Sequence, residues 1–266
     1  MQTGETSAAA NSSRTIRLKE THHRSGRGVA LRAVAALAIA SCCARANADT
    51  IVFVASTANS PPLNIFTQGQ LTGGIVKDVG DAIAARMGRN PSYMTLPRNR
   101  IGTALAAASA DAICYAQPEW YSVPLNWSHS FIPNTGTIVI GAHAAPLTTL
   151  ADLRGQVLGT VFGFFYPQID AVIGQDYKRD EAPSEILNLE KIRGGRVPYA
   201  VADEMVLDWE ARQHPELHSL KTLPLPEIKA GCALSPKSRV PLADFSQTID
   251  HLIDDGTMER IFSRYR

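Results

Sequence analysis

The chain has 266 residues, with 26 Lys/Arg against 25 Asp/Glu and a formal net charge of +1. Hydrophobic residues make up 45% and charged residues 19%, an ordinary globular balance that excludes disorder as the default state. The charge is uneven: residues 1–48 hold seven Lys/Arg and two Asp/Glu, which leaves 19 basic and 23 acidic residues in the rest, and a mildly acidic body without a basic cluster excludes nucleic acid as a partner.

In chain order, the first feature is a leader. Ala33 to Ala40, running on into Ser41, Cys42 and Cys43, is the longest apolar stretch, well short of the roughly 18 residues a membrane span needs. Arg24, Arg27 and Arg32 precede it and Ala46-Asn47-Ala48 follows it. A basic region, a short apolar core and a small-x-small site make a secretory signal, so residues 1–48 are expected to be removed and the mature chain to start at Asp49 in the periplasm. Ile39-Ala40-Ser41-Cys42 also resembles a lipoprotein box, which leaves lipid anchoring at Cys42 as a second reading. Residues 1–23 are polar and long for an n-region, which puts the working start of the leader downstream of Met1.

Beyond the leader, Ile51-Val-Phe-Val-Ala is a continuous apolar run, the pattern of a strand buried on both faces. Ile75, Val76, Val79, Ile83 and Met87 recur at helical spacing and stop at Gly88. A strand at Ser92–Leu96, a helix at Ile101–Ala108 and a strand at Asp111–Tyr115 follow, a β-α-β-α-β series that implies a parallel sheet covered on both faces. The pattern restarts after the strand beginning at Thr137. It gives a short helix from Leu150, a strand at Val157–Val161, helices near Pro167 and Glu185–Ile192, a strand at Tyr199–Ala202 and a helix at Asp203–Arg212. A strand at Gly231–Leu234 and a helical run carrying Phe245, Ile249, Leu252 and Ile253 end the chain.

This order predicts an α/β architecture of two lobes, each a mostly parallel sheet flanked by helices, joined by two hinge crossings. The boundaries are 49–137 plus 230–266 for lobe 1 and 138–229 for lobe 2. Ligands of open parallel sheets bind beyond the carboxyl ends of the strands, which selects the loops after residues 55, 96, 115, 161 and 202.

Cys114 and Cys232 each sit in a short apolar run, and two separate buried thiols acting as small hydrophobes are the favoured reading over a disulfide. No Cys/His spacing resembles a metal site, and no histidine stands beside a candidate nucleophile in a recognisable constellation, so neither metal nor cofactor is expected. Asp78 and Asp111 read as structural.

Five segments carry a resemblance: Leu71-Thr-Gly-Gly-Ile-Val-Lys-Asp-Val, Leu105 to Asp111, Leu150-Ala-Asp-Leu-Arg-Gly-Gln-Val-Leu-Gly-Thr-Val, Gly195-Arg-Val-Pro-Tyr-Ala-Val-Ala-Asp and Asp255-Gly-Thr-Met-Glu-Arg-Ile-Phe-Ser-Arg-Tyr. In this order, behind an export signal, the chain resembles family 3 of the bacterial extracellular solute-binding proteins, over nearly the whole mature length. The resemblance implies the type 2 periplasmic binding fold and hinge closure on a small-molecule ligand. It also implies a monomer that delivers the ligand to an ABC permease in the inner membrane. Position by position, Asp203 falls where the family places the aspartate that pairs with a ligand α-amino group. Trp120 stands where its carboxylate-gripping arginine would fall, Ser60 replaces an aromatic and Phe164 a small hydroxyl residue, so half of the amino-acid signature is absent.

The remaining candidates follow from the residues. Arg98 and Arg100 lie between a strand and a helix, where a guanidinium could hold a carboxylate, or where both could be solvated; Arg100 is the preferred one, because related proteins often place an arginine at this helix start. Asp203 opens a helix and reads equally as a cap and as a counter-ion for a ligand cation. Phe164, Phe165 and Tyr166 could stack on a ligand or join the core, and Phe162 reads as core. Tyr115, Glu119 and Trp120 combine hydrogen bonding with stacking on a loop after a strand, or pack on the hinge. Three functions stay open. The leading one is a binding module without catalysis that captures a small polar or carboxylate-bearing solute. The others are a periplasmic enzyme like cyclohexadienyl dehydratase on the same fold and a ligand sensor with no permease.

Overall fold

The structure is a computed structural model that describes residues 49–266. The secretory signal and the Cys42 lipidation site lie outside the described residues. Among those residues no helix is long and apolar enough to cross a membrane.

The first lobe is built on β1 (Thr50–Ser56), which pairs in parallel with β4 (Asn90–Leu96) and β5 (Ala112–Ala116). Its fourth member, β13 (Ile228–Leu234), runs antiparallel to β5 and carries the short strands β6 (Asn126–Trp127) and β7 (Ile132–Asn134). The alternation along β1 explains its unbroken apolar sequence. Ile51 and Phe53 pack with Val76, Val79 and Ile83 of α1 (Ile75–Arg86) and with Phe245 and Ile249 of α6 (Leu242–Asp254). Val54, on the other face, packs with Ile101 and Leu105 of α2 (Arg98–Ala106). Both faces are therefore dry, as a parallel sheet requires. The terminal helical run is interrupted at Gly256 and continues as α7 (Thr257–Ser263). Its last tyrosine, Tyr265, donates a hydrogen bond to Asp78 at 2.7 Å, with Arg264 beside the same carboxylate at 2.9 Å. Asp111 likewise serves structure, accepting from the Val52 N–H at 2.9 Å and the Ser238 hydroxyl at 2.7 Å. A hairpin of β2 (Ile65–Thr67) and β3 (Gln70–Gly73) projects ahead of α1.

The second lobe has strand order β10-β9-β11-β8-β12, from β8 (Gly136–Ile140), β9 (Val157–Val161), β10 (Lys178–Ala182), β11 (Tyr199–Asp203) and β12 (Lys221–Pro224). The first three in that order are parallel, β8 runs antiparallel to β11, and β12 runs antiparallel to β8. Ile138, Leu158, Tyr199 and Val201 bury one face against α3 (Pro167–Ile173). Val139, Ala200 and Ala202 bury the other against α4 (Glu185–Arg193) and α5 (Glu204–Ala211). The helix expected from Leu150 is a single 3-10 turn, Leu150–Leu153, held by a capping box of Thr149 and Asp152. The chain crosses between sheets twice, from β7 to β8 and from β12 to β13. The fold is thus the two-lobed α/β architecture the sequence predicts.

The cysteine expectation is overturned. Cys114 and Cys232 form a disulfide that links β5 to β13, where they lie directly opposite each other. Each side chain is as buried as a small hydrophobe would be, but strand pairing brings the two sulfurs together.

Candidate functional site

The loops after β1, β4, β5, β9 and β11, all at carboxyl ends of strands, meet between the two sheets and line one cavity. It offers about 60 Å³ to the centre of a water-sized sphere. Ile101, Ile113, Val201, Leu225 and Ile228 form its apolar surface, with Ser56, Asn59, Asn134 and Gln168 interspersed.

Tyr115 enters this cavity through a distortion of β5. Gly231 pairs with Ala116 and Cys232 with Cys114, so Tyr115 is the extra residue of a bulge, with a left-handed φ of 61°. Such a conformation is rare for an aromatic residue and costs about 1–3 kcal/mol; bulges of this kind re-aim a side chain. Its hydroxyl donates to Asp203 Oδ2 across the cleft and accepts from Asn134 Nδ2. Burial, with Asp203 and Glu185 nearby, raises the phenol well above its usual range, so it stays protonated as a donor.

On the same wall, Trp120 lies 6.0 Å from Tyr115, ring to ring. Arg98 donates from Nη2 to the Trp120 carbonyl at 2.7 Å and stacks over Tyr121 at 4.2 Å and Trp120 at 5.9 Å. Its stem passes so close to Gly163 of the facing lobe that a β-carbon there would lie 3.3 Å from Arg98 Cγ, and Gly163 itself adopts φ 73°.

The opposite wall is the segment Phe164 to Tyr166. Arg179 of β10 holds it, donating to the carbonyls of Val161 at 3.3 Å and Phe164 at 3.1 Å while stacking on Tyr166 at 5.4 Å. The Tyr166 hydroxyl accepts from the Val161 N–H at 2.9 Å, and burial raises its phenol pKa. Phe165 lines the cavity but is 60% exposed. Phe162, read as core from sequence, is 54% exposed, one residue beyond the end of β9.

At the floor, Asp203 ends β11 and precedes α5, yet its side chain makes no capping hydrogen bond. The carboxylate turns to Tyr115 instead. Burial raises its pKa to about 6, opposed by the Tyr115 hydrogen bond. Beside it, Glu185 Oε1 accepts the Asp203 N–H at 3.1 Å. Burial and the neighbouring Asp203 charge raise the Glu185 pKa well above the carboxylate range.

Of the ten sequence candidates, Arg98, Tyr115, Trp120, Phe164, Phe165, Tyr166 and Asp203 line the cavity, while Ser60, Arg100 and Glu119 do not. Ser60 is buried and joins the lobes, its Oγ accepting the Ile186 N–H at 3.3 Å. Arg100 is exposed. The helix starts at Arg98, three residues earlier than periodicity indicated, and residues two apart on a helix face different directions. Of the two arginines, Arg98 rather than the preferred Arg100 therefore lines the cavity. Glu119 is exposed on the 3-10 turn Pro118–Trp120. Sequence reasoning missed Glu185, Tyr121 and Asn134. A Ser-Glu pair at a helix start reads as an ordinary cap with a first-turn acid, and nothing in it signals burial.

No protein-family model matches the chain, and no curated protein matches it. Solved structures do. A histidine kinase sensor domain with similarity to periplasmic binding proteins matches at TM-score 0.70 and 20% identity, over 83% of this chain and 97% of that one. The arginine-, lysine-, histidine-binding protein ArtJ from the thermophilic bacterium Geobacillus stearothermophilus matches at TM-score 0.67 and 15% identity, over 82% and 95%. The ancestral amino-acid-binding protein AncCDT-1, described as a precursor of cyclohexadienyl dehydratase, matches at TM-score 0.68 and 16% identity, over 81% and 95%. The fold is therefore that of the two-lobed periplasmic binding proteins, the amino-acid-binding type among them.

Proposed function

We propose that this protein is an exported solute-binding protein that closes its lobes, 49–137 plus 230–266 and 138–229, around a small polar solute without catalysis. The observation that carries this reading is the cavity itself. It lies at the carboxyl ends of strands from both sheets and is bridged by the Tyr115–Asp203 and Ser60–Ile186 contacts. A ligand touching both walls favours the closed form over the open one by its differential affinity. The buried disulfide supports a periplasmic location, since such bonds persist in oxidising compartments. In this reading the closed monomer presents its cargo to an ABC permease in the inner membrane.

One observation favours an enzyme instead. A carboxyl held at about 6, like that of Asp203, is poised for general acid work, and one structural neighbour is described as a dehydratase precursor.

Thermal unfolding of the purified protein against amino acids, polyamines, small carboxylates and prephenate tests both. A solute at a hundredfold over its Kd stabilises the fold by about 2.7 kcal/mol, a shift of several degrees. A shift without turnover supports the binding protein; loss of prephenate from solution supports the enzyme. No shift with any class overturns the solute-binding reading.

A further inference from the structure

We propose that the cleft selects a small amine that carries no carboxylate, and that Glu185 together with Asp203 forms its anionic seat. This deepens the solute-binding reading and rests on it.

The charges that line the cavity are unbalanced. Glu185 and Asp203 are its carboxylates and Arg98 is its one basic side chain. Arg98 is already engaged, with the Trp120 carbonyl on Nη2 and its guanidinium face against Tyr121. Neither carboxylate has a Lys, Arg or His within ion-pair distance among the described residues. Glu185 is only 5% exposed. One of its oxygens takes the Asp203 N–H, and the other has no hydrogen-bond partner among the described residues. Asp203 accepts from the Tyr115 hydroxyl on one oxygen, and the other has no hydrogen-bond partner among the described residues. Two carboxylates, Glu185 buried and Asp203 half-buried, thus line one cavity, each with an oxygen to spare.

Uncompensated buried charge costs several kcal/mol, and it is relieved either by holding a proton or by gaining a cation. The raised proton affinity of both groups is the first form of relief. A ligand ammonium bridging the two free oxygens supplies the second. The aromatic rings of Tyr115 and Phe164 beside this floor add favourable faces for a cation. A ligand carboxylate finds the opposite environment: two anions and a guanidinium whose stacking and hydrogen bond it would have to disrupt.

The test is isothermal titration calorimetry at pH 8 with matched pairs: putrescine and ornithine, agmatine and arginine, phenethylamine and phenylalanine, with succinate as an anionic control. The expected result is that at least one amine binds at least tenfold tighter than its carboxylated partner. Glu185→Gln then weakens that amine at least tenfold. Asp203→Asn, which keeps an acceptor for Tyr115, is a second variant should Glu185→Gln fail to fold, and gives the same loss. Binding of an amino acid as tightly as its amine, or an amine affinity unchanged in both variants, overturns the proposal. Binding of succinate alone overturns it too but leaves the solute-binding reading standing. No binding by any compound here or in the wider solute panel overturns both.

Discussion

Replacing Asp203 by Asn removes a charge without removing the acceptor that Tyr115 uses. In the folded protein the Asp203 carboxyl rises from 3.8 to about 6, with burial as the main cause. Each tenfold change in proton affinity corresponds to about 1.4 kcal/mol, so ionising this group in the fold costs about 3 kcal/mol at most. Asp203 keeps part of its surface open to the cavity, and water there lowers the figure to about 1–2 kcal/mol. Because the folded state holds the proton more tightly than the unfolded state, the stability tied to this group is full below about pH 3.8. It is lost as pH rises through about 6. Asp203→Asn is therefore expected to unfold several degrees above wild type at pH 7.5, with the gap closing toward pH 4. Thermal unfolding of both proteins across pH 4–8 measures this. A variant less stable than wild type at pH 7.5, or an offset that does not change with pH, refutes the reasoning. A gain in stability joined to a loss of ligand binding marks a residue kept for its charge rather than for the fold.

Two further predictions concern the scaffold. The disulfide closes a separation of 118 residues, so Cys114→Ala/Cys232→Ala should lose up to about 4–5 kcal/mol, read as a lower denaturant midpoint; an unchanged midpoint contradicts this. Gly74 precedes α1 with φ 107°, and a β-carbon there would lie 2.5 Å from the Leu63 carbonyl oxygen. Gly74→Ala should therefore cost more than about 2 kcal/mol in unfolding free energy, and a cost below 0.5 kcal/mol, roughly the range of neutral surface changes, contradicts the contact.

The sequence makes some elements plain and hides others, and burial decides which. β1, β5, β9 and β11 are covered on both faces and so read as apolar runs. β10, Lys178-Arg-Asp-Glu-Ala, forms at an edge of the second sheet. Charged residues there guard an open edge, and no apolar pattern announces the strand. The site divides in the same way. The aromatic segment after β9 and Asp203 after β11 follow from the rule that ligands lie beyond strand ends. Glu185 does not, because its burial depends on α4 packing against β9 and β11 and on the facing lobe. Cys114 and Cys232 needed the adjacency of β5 and β13, which spacing in the chain cannot provide. Arg98 rather than Arg100 reaches the cavity because the helix begins three residues earlier than its apolar spacing indicates.

The central claim is that solute occupies the interlobe cavity, and Trp120 is placed to report it. Trp120 lines the cavity beside Tyr115, whereas Trp209, packed on Tyr265, and Trp127, packed behind Tyr121, do not line it. The direct measurement is a tryptophan fluorescence titration with the solute that most raises the unfolding temperature, in wild type and in Trp120→Phe. The account predicts a saturable change in wild type, with the same Kd as calorimetry, that is largely lost in Trp120→Phe. A change that survives intact in Trp120→Phe, with calorimetric binding unaltered, would place the solute elsewhere and contradict the account.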